Sequence, residues 1–261
     1  MYSSGIYHQR RVRAGAAPGW AACEGLLLLL RDAIAMLPDH SLHQALCGAV
    51  QAESLVVLGN HREPGVRAAL VRCVAALARR APPDLGRRLH QLNYYVHLAN
   101  QISLYEGSWE LTAACAALLT KCDVPLEDQL DDDIWLDVSE ECVMRSPPLL
   151  AQLANCVRDV PLAHNITLLA RKIIDKASLK VLSEVALVEV VIRSIREIGN
   201  MAEQNFEGRD LLLEDLYELL NRVAIKALSA QHSMQSVLEI HHMLAFVELE
   251  ARSEAVRGVA R

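Results

Sequence analysis

Apolar and polar positions alternate most legibly between Leu55 and Arg80. An apolar segment stops at Gly59-Asn60, Pro64 restarts the chain, and Val66, Ala69/Leu70, Cys73/Val74 and Leu77 then return every three or four residues. That spacing marks one apolar face of a helix, and the proline fits a helix start. The stretch predicts a helix, a tight turn and a second helix carrying a wide apolar stripe.

The same grammar recurs along the chain. Trp20–Leu37 runs through a leucine block and stops at Pro38, and Ser41 is a candidate N-cap for a helix carrying Leu42, Leu46 and Val50. Pro82-Pro83 ends the Pro64–Arg80 helix. Asp84 then opens a helix with Leu85, Leu89, Leu92, Val96 and Ala99 on one face, and Ser108 caps another with Leu111, Cys115 and Leu118 inside. Pro148–Asp159 and Ile166–Ala177 continue the pattern around a turn at Pro161 and Asn165. Ser183–Met201 is apolar on most of its circumference and is expected to be buried between neighbours. Leu211–Leu228 and Gln231–Arg252 complete the series.

About ten helices joined by short loops, without a strict sequence period, predict an all-α fold. The architecture expected is an irregular α-solenoid of degenerate helix pairs, with a helical bundle as the competing arrangement. Four segments follow: 1–17 as a disordered lead-in, 18–122 as N-terminal helical repeats, 123–147 as an acidic connection, and 148–261 as C-terminal helical repeats.

Composition narrows the function classes. Hydrophobic residues make up 52% but aromatics only 4%, the mix of small and unbranched side chains that lets helices stack closely. Residues 1–100 carry 11 Lys/Arg against 6 Asp/Glu, and residues 101–261 carry 15 against 26. A chain acidic over most of its length is not expected to bind nucleic acid, which needs a basic face. The charge split permits end-to-end contacts or two different partners. The Leu26–Leu30 run is bracketed by Glu24 and Arg31-Asp32, too short to span a membrane. Arg10, Arg11 and Arg13 lie in an acid-free N-terminus, read as a basic leader more readily than as a mitochondrial presequence. Seven scattered cysteines with no CxxC pair read as buried thiols of a reducing, cytoplasmic compartment.

No arrangement points to catalysis, metal or cofactor. Within Glu127–Glu141, Asp131 and Asp133 take the first two places of a calcium loop, but Trp135 takes the third and Leu136 stands where glycine is required. The run therefore reads as a solvated acidic loop, with Asp131, Asp132, Asp133, Glu140 and Glu141 as a candidate contact surface for a basic partner. His232, His241 and His242 lack the i, i+4 spacing of a helical metal pair. No GxSxG, GxGxxG or GxxxxGK[ST] occurs, and Cys73, Cys115 and Cys122 lie in apolar faces that keep a thiol protonated. The Asn165 sequon sits inside an apolar helical pattern. Arg67, next to core-facing Val66, is either an anchor for an acidic ligand or, the reading favoured here, a brace between repeats.

Two blocks carry a resemblance. His61–Leu77 looks like the second helix of a HEAT or armadillo repeat, with a proline opening, Val66-Arg67 and a small Ala69. The block His97-Leu98-Ala99-Asn100-Gln101-Ile102-Ser103-Leu104-Tyr105, continued by CDVPLEDQLDDDIWL, resembles the helical regions upstream of the BEACH domain in very large vesicle-traffic scaffolds. The resemblance spans about residues 49–137, and neither a BEACH domain nor WD40 repeats are present. It implies an irregular armadillo/HEAT-like α-solenoid, a non-catalytic scaffold that holds protein partners on a concave helical wall and reaches vesicles peripherally, through those partners. Lysosome or lysosome-related organelle traffic is the implied process. A generic helical interaction module unrelated to vesicles stays open beside it, and a cryptic hydrolase would require a deep pocket with a shifted-pKa residue.

Overall fold

The computed structural model describes residues 18–48, 55–80, 83–120, 140–201 and 206–229. Among them the chain forms twelve α-helices and no strand. In order these are α1 (Pro18–Met36), α2 (Asp39–Gly48), a 3-10 turn (Val56–Asn60), α3 (Pro64–Arg80), α4 (Pro83–Gln91), α5 (Tyr94–Ile102) and α6 (Trp109–Ala116). There follow α7 (Glu140–Val143), α8 (Pro147–Asn155), α9 (Val160–Lys176), α10 (Leu179–Glu184), α11 (Leu187–Asn200) and α12 (Arg209–Ser229).

Local signals explain most boundaries. Ser108 accepts the Leu111 amide at 3.2 Å, as its position before an apolar run predicts. Asp159 does the same for Leu162 at 3.2 Å, so α9 starts at Val160 and Pro161 falls in its first turn, where no amide is needed. The turn expected at Pro161–Asn165 is thus the beginning of a helix. Ser41 likewise lies inside α2 rather than before it.

Two expected helices are broken. Asn93 (φ 49°) separates α4 from α5, and Ala186 (φ 54°) separates α10 from α11. Asparagine tolerates the left-handed region, whereas alanine pays about 1 kcal/mol for it. The break at Ala186 turns Leu187 inward and leaves α11 one-sided: Leu187, Val191, Ser194, Ile195 and Ile198 are buried, while Val188, Val190 and Ile192 are only half-buried. The expectation that this segment is enclosed on most of its circumference is therefore corrected. A β-branched run inflated the apparent apolar arc.

Packing arranges the helices in two rows. In one, α1, α3, α6, α9 and α12 lie side by side; in the other, the 3-10 turn, α5, α8 and α11 do. The rows meet where the 3-10 turn touches α3, α6 and α9 touch α8, and α11 touches α12. The core runs between them through Leu70, Leu98, Leu111, Leu150, Ile166, Leu187 and Leu216, each fully buried. Because α3 has neighbours on every side, 12 of its 17 residues are buried.

Within a row, neighbours run parallel, and polar ties fix their register. Arg80, near the end of α3, donates to Ile34 O (3.0 Å) and Ala35 O (2.6 Å) near the end of α1. Arg79 donates to Ala117 O (3.0 Å) at the end of α6, and Lys226 to Ile174 O (2.5 Å) at the end of α9. Each cation lies where unpaired carbonyls and the negative end of the helix dipole favour it. Such ties join residues 38 to 52 positions apart, a spacing absent from the residue pattern itself.

Candidate binding surface

The loops at one edge of the stack interlock. Arg67 is buried (3% exposed) and donates to His61 O (2.7 Å) and Arg62 O (3.0 Å). Its guanidinium lies 4.4 Å from the centre of the Tyr105 ring, and the Tyr105 hydroxyl donates to Asn60 O at 3.2 Å. Burial lowers the Arg67 pKa, and Tyr105 acts against that shift. The side chain therefore braces one loop against the next and is occupied in doing so.

One unit further along, Asn155 donates to Ser103 O (3.0 Å) and Tyr105 O (2.9 Å), and Trp109 Nε1 donates to Asp159 at 2.8 Å. Gly107 lies against Cys156 so closely that an added Cβ would collide with its Sγ. Glycine is required there by space.

Two concavities follow from this arrangement. A cleft of about 590 Å³ opens at the loop edge, walled by Glu106, Cys156, Arg158, Asp159 and Glu197. Its one buried nucleophile is ill suited to chemistry, because burial pushes the Cys156 thiol up to about 12. A narrower groove of about 250 Å³ crosses α5, α8 and the α10–α11 corner. Ala99, Ala151 and Val185 form its floor, and Asn100, Glu189 and Arg193 its rim. Small floor residues from two neighbouring helices of one row, and from the corner that leads into a third, leave room for a partner's larger side chain.

The remaining buried thiols behave like Cys156. Burial raises Cys73 to about 11 and Cys115 higher still. Ordinary thiols titrate near 9.0, so above pH 9 the unfolded chain sheds protons that the folded chain keeps. Stability is therefore complete below pH 9 and falls as pH rises through the window up to about 11–12. Each buried thiol contributes about 1 kcal/mol of loss by pH 10. Urea midpoints at pH 8 and pH 10 check this: Cys156→Ala should lose less than the parent, and an equal loss would rule the thiol out as a cause.

Of the acidic contact residues expected from the sequence, Asp131, Asp132 and Asp133 lie outside the described residues, as does the side chain of Glu140. Glu141 is exposed on α7 and pairs with Arg145 at 2.9 Å. His232, His241, His242 and Cys122 also lie outside them. Asn165 is fully buried in α9, which closes the sequon to glycosylation in the folded chain. The α5–α8–α11 groove was not singled out in the sequence, because its residues come from segments about 45 positions apart and none is chemically distinctive. No helix among the described residues is long and apolar enough to cross a membrane.

The two-row packing and the HLANQ segment on α5 are the features to compare with known proteins. No family model and no solved structure matches the chain. The likeness is to the lysosomal-trafficking regulator. The human protein of that name is 25% identical over 215 residues, which is 81% of this chain and 6% of the human sequence. The Drosophila melanogaster protein is 25% identical over 223 residues, 85% of this chain and 6% of its own length. The chain thus spans a small part of the relatives it matches, and the relation is distant. Alignment over more than four-fifths of the chain extends well beyond the blocks that carried the resemblance in the sequence.

Proposed function

We propose that the chain is a non-catalytic helical scaffold that holds protein partners in lysosome or lysosome-related organelle traffic. Its two rows are read as stacked helix pairs of an irregular armadillo/HEAT-like α-solenoid, and the groove over α5, α8 and α11 as part of its partner-binding wall. The observation that carries this reading is the alignment with the lysosomal-trafficking regulators across 81% and 85% of the chain. Parallel neighbours tied at separations of 38 to 52 residues support the solenoid, since helix-pair repeats of roughly 40–47 residues bring equivalent positions together in this way.

Mechanistically, such a scaffold works by presenting a surface. Buried Arg67 and half-buried Asn155 stiffen the loop edge, so the wall keeps its shape without a partner, and less ordering entropy opposes binding. The acidic segment with Asp131, Asp132, Asp133, Glu140 and Glu141 adds a second contact for basic partners.

The test combines capture with a cell readout. Intact chain should retain trafficking proteins, and Val96→Glu together with Ala151→Leu, which charges and fills the groove, should reduce that capture about tenfold with an unchanged helical spectrum. Loss of the chain should alter lysosome size or distribution, and the groove variant should fail to restore it. Partners drawn from other processes, with unchanged organelles, would favour a generic interaction module.

A further inference from the structure

Helix α1 buries one face and, among the described residues, leaves a second face largely uncovered. Leu27 and Ile34 are buried toward α3, with Cys23 and Leu30 half-buried beside them. On the far side, Leu26 and Leu29 are each 66% exposed and Met36 is 84% exposed, with Ala22 and Gly25 exposed between them. The other exposed large apolar residues, such as Val57, Leu92 and Leu104, are scattered singly, which is ordinary for a surface.

The α1 stripe has order. Ala22, Leu26, Leu29, Ala33 and Met36 follow one another at alternating spacings of four and three, the repeat of a helix-pairing seam. No charged residue interrupts it, and Asp32 lies to one flank.

The stripe is also complementary to itself. About a two-fold axis passing between residues 27 and 28, an antiparallel copy sets Leu26 on Leu29, Leu29 on Leu26, Ala22 on Ala33 and Gly19 on Met36. Ala22, Leu26, Leu29 and Ala33 each meet another seam position, as a closed two-fold interface requires, and Met36 meets Gly19, one step beyond the seam. Continuity with the existing row points the same way. Among the described residues α3 is flanked by α1 on one side and α6 on the other, whereas α1 packs chiefly along α3, so a helix on its outer face would extend the row, here in the antiparallel sense that the two-fold axis imposes.

We propose that the chain self-associates through α1, two copies packing antiparallel along the Ala22–Leu26–Leu29–Ala33–Met36 stripe. The proposal stands apart from the trafficking role. Apolar contacts dominate the seam, so association should change little with salt.

Sedimentation equilibrium of the full chain across micromolar concentrations is the test. A species of twice 28.8 kDa is expected, with a dissociation constant raised about 100-fold or more by Leu26→Glu with Leu29→Glu. Since both leucines are exposed, that variant should keep the parent's helical spectrum and melting temperature, and Leu211→Glu on α12 should leave the dimer intact. Orientation is read by oxidising Leu26→Cys chain mixed with Leu29→Cys chain, beside the parent chain as a control for Cys23. Cross-linking should appear in the mixture and not in either variant alone. A parent chain that stays monomeric, a dimer that survives the double glutamate, or a Leu26→Cys variant that links to itself as readily as to Leu29→Cys would each overturn the proposal.

Discussion

Leu70→Ala should lower stability by about 2–5 kcal/mol, the cost of removing a buried leucine from a site that cannot collapse around the vacancy. Leu70 is 0% exposed on α3, and α1, α6 and the 3-10 turn surround that helix. Each of those elements is held in its own register: α1 and α6 by Arg80 and Arg79, the loop before α3 by Arg67. Small shifts to refill the space would strain all three ties. Leu29→Ala makes the comparison, because the same atoms are removed from a side chain 66% exposed in one copy. At concentrations where the chain is monomeric, that change should cost less than about 0.5 kcal/mol. Urea unfolding followed by far-ultraviolet circular dichroism measures both, and near-equal values would mean that α3 is not the centre of the core.

How far this organisation could be read from the sequence depends on the scale of the feature. The Pro64–Arg80 helix and the Ser108 cap were legible because a proline, a cap and a three-to-four-residue rhythm coincide there. The breaks at Asn93 and Ala186 were not, since neither glycine nor proline marks them and the apolar rhythm runs on through both. Tertiary packing selects those left-handed residues by turning Leu187 and Tyr94 into the core. Arg67 was recognised as a brace from its position, but its aromatic partner, Tyr105, lies 38 residues downstream and could not be named. The groove was hidden for a similar reason. Its floor is made of alanines and a valine that say nothing singly and acquire meaning only when two helices and the α10–α11 corner set them side by side.

That distinction bears on how the scaffold reading should be tested. Its candidate wall is built from unremarkable side chains, so single charge reversals on the rim should act weakly and substitutions that change the shape of the floor strongly. The ties that hold the rows are the opposite case. They concentrate charge at a few buried points, and there a single substitution is felt.

The strongest such point joins α9 to α12. Arg171 pairs with Asp215 at 2.6 Å and with Glu218 at 2.7 Å, and His164 approaches the second Asp215 oxygen at 2.6 Å. Arg222 links Glu218 onward to Asp175, at 2.9 and 3.6 Å. The Arg171 and Asp215 side chains are only 16% and 13% exposed, so water replaces a lost partner poorly. Arg171→Met keeps the aliphatic stem and removes the charge, leaving Asp215 to His164. About 2–4 kcal/mol of destabilisation is expected, somewhat below the cost of breaking a fully buried pair. Asp215→Leu alone should be similarly costly because it leaves Arg171 only the more exposed Glu218 among its carboxylate partners, whereas the double variant should recover part of the loss, since neither half of the more buried pair then remains without the other. The damage should also be local. Hydrogen exchange ought to quicken along α12 and the end of α9, where Lys226 holds Ile174 O, and stay unchanged in α3. Losses that simply add in the double variant would show that the two residues stabilise the helices independently. An equal rise in exchange across α3 would show that the rows unfold as one body.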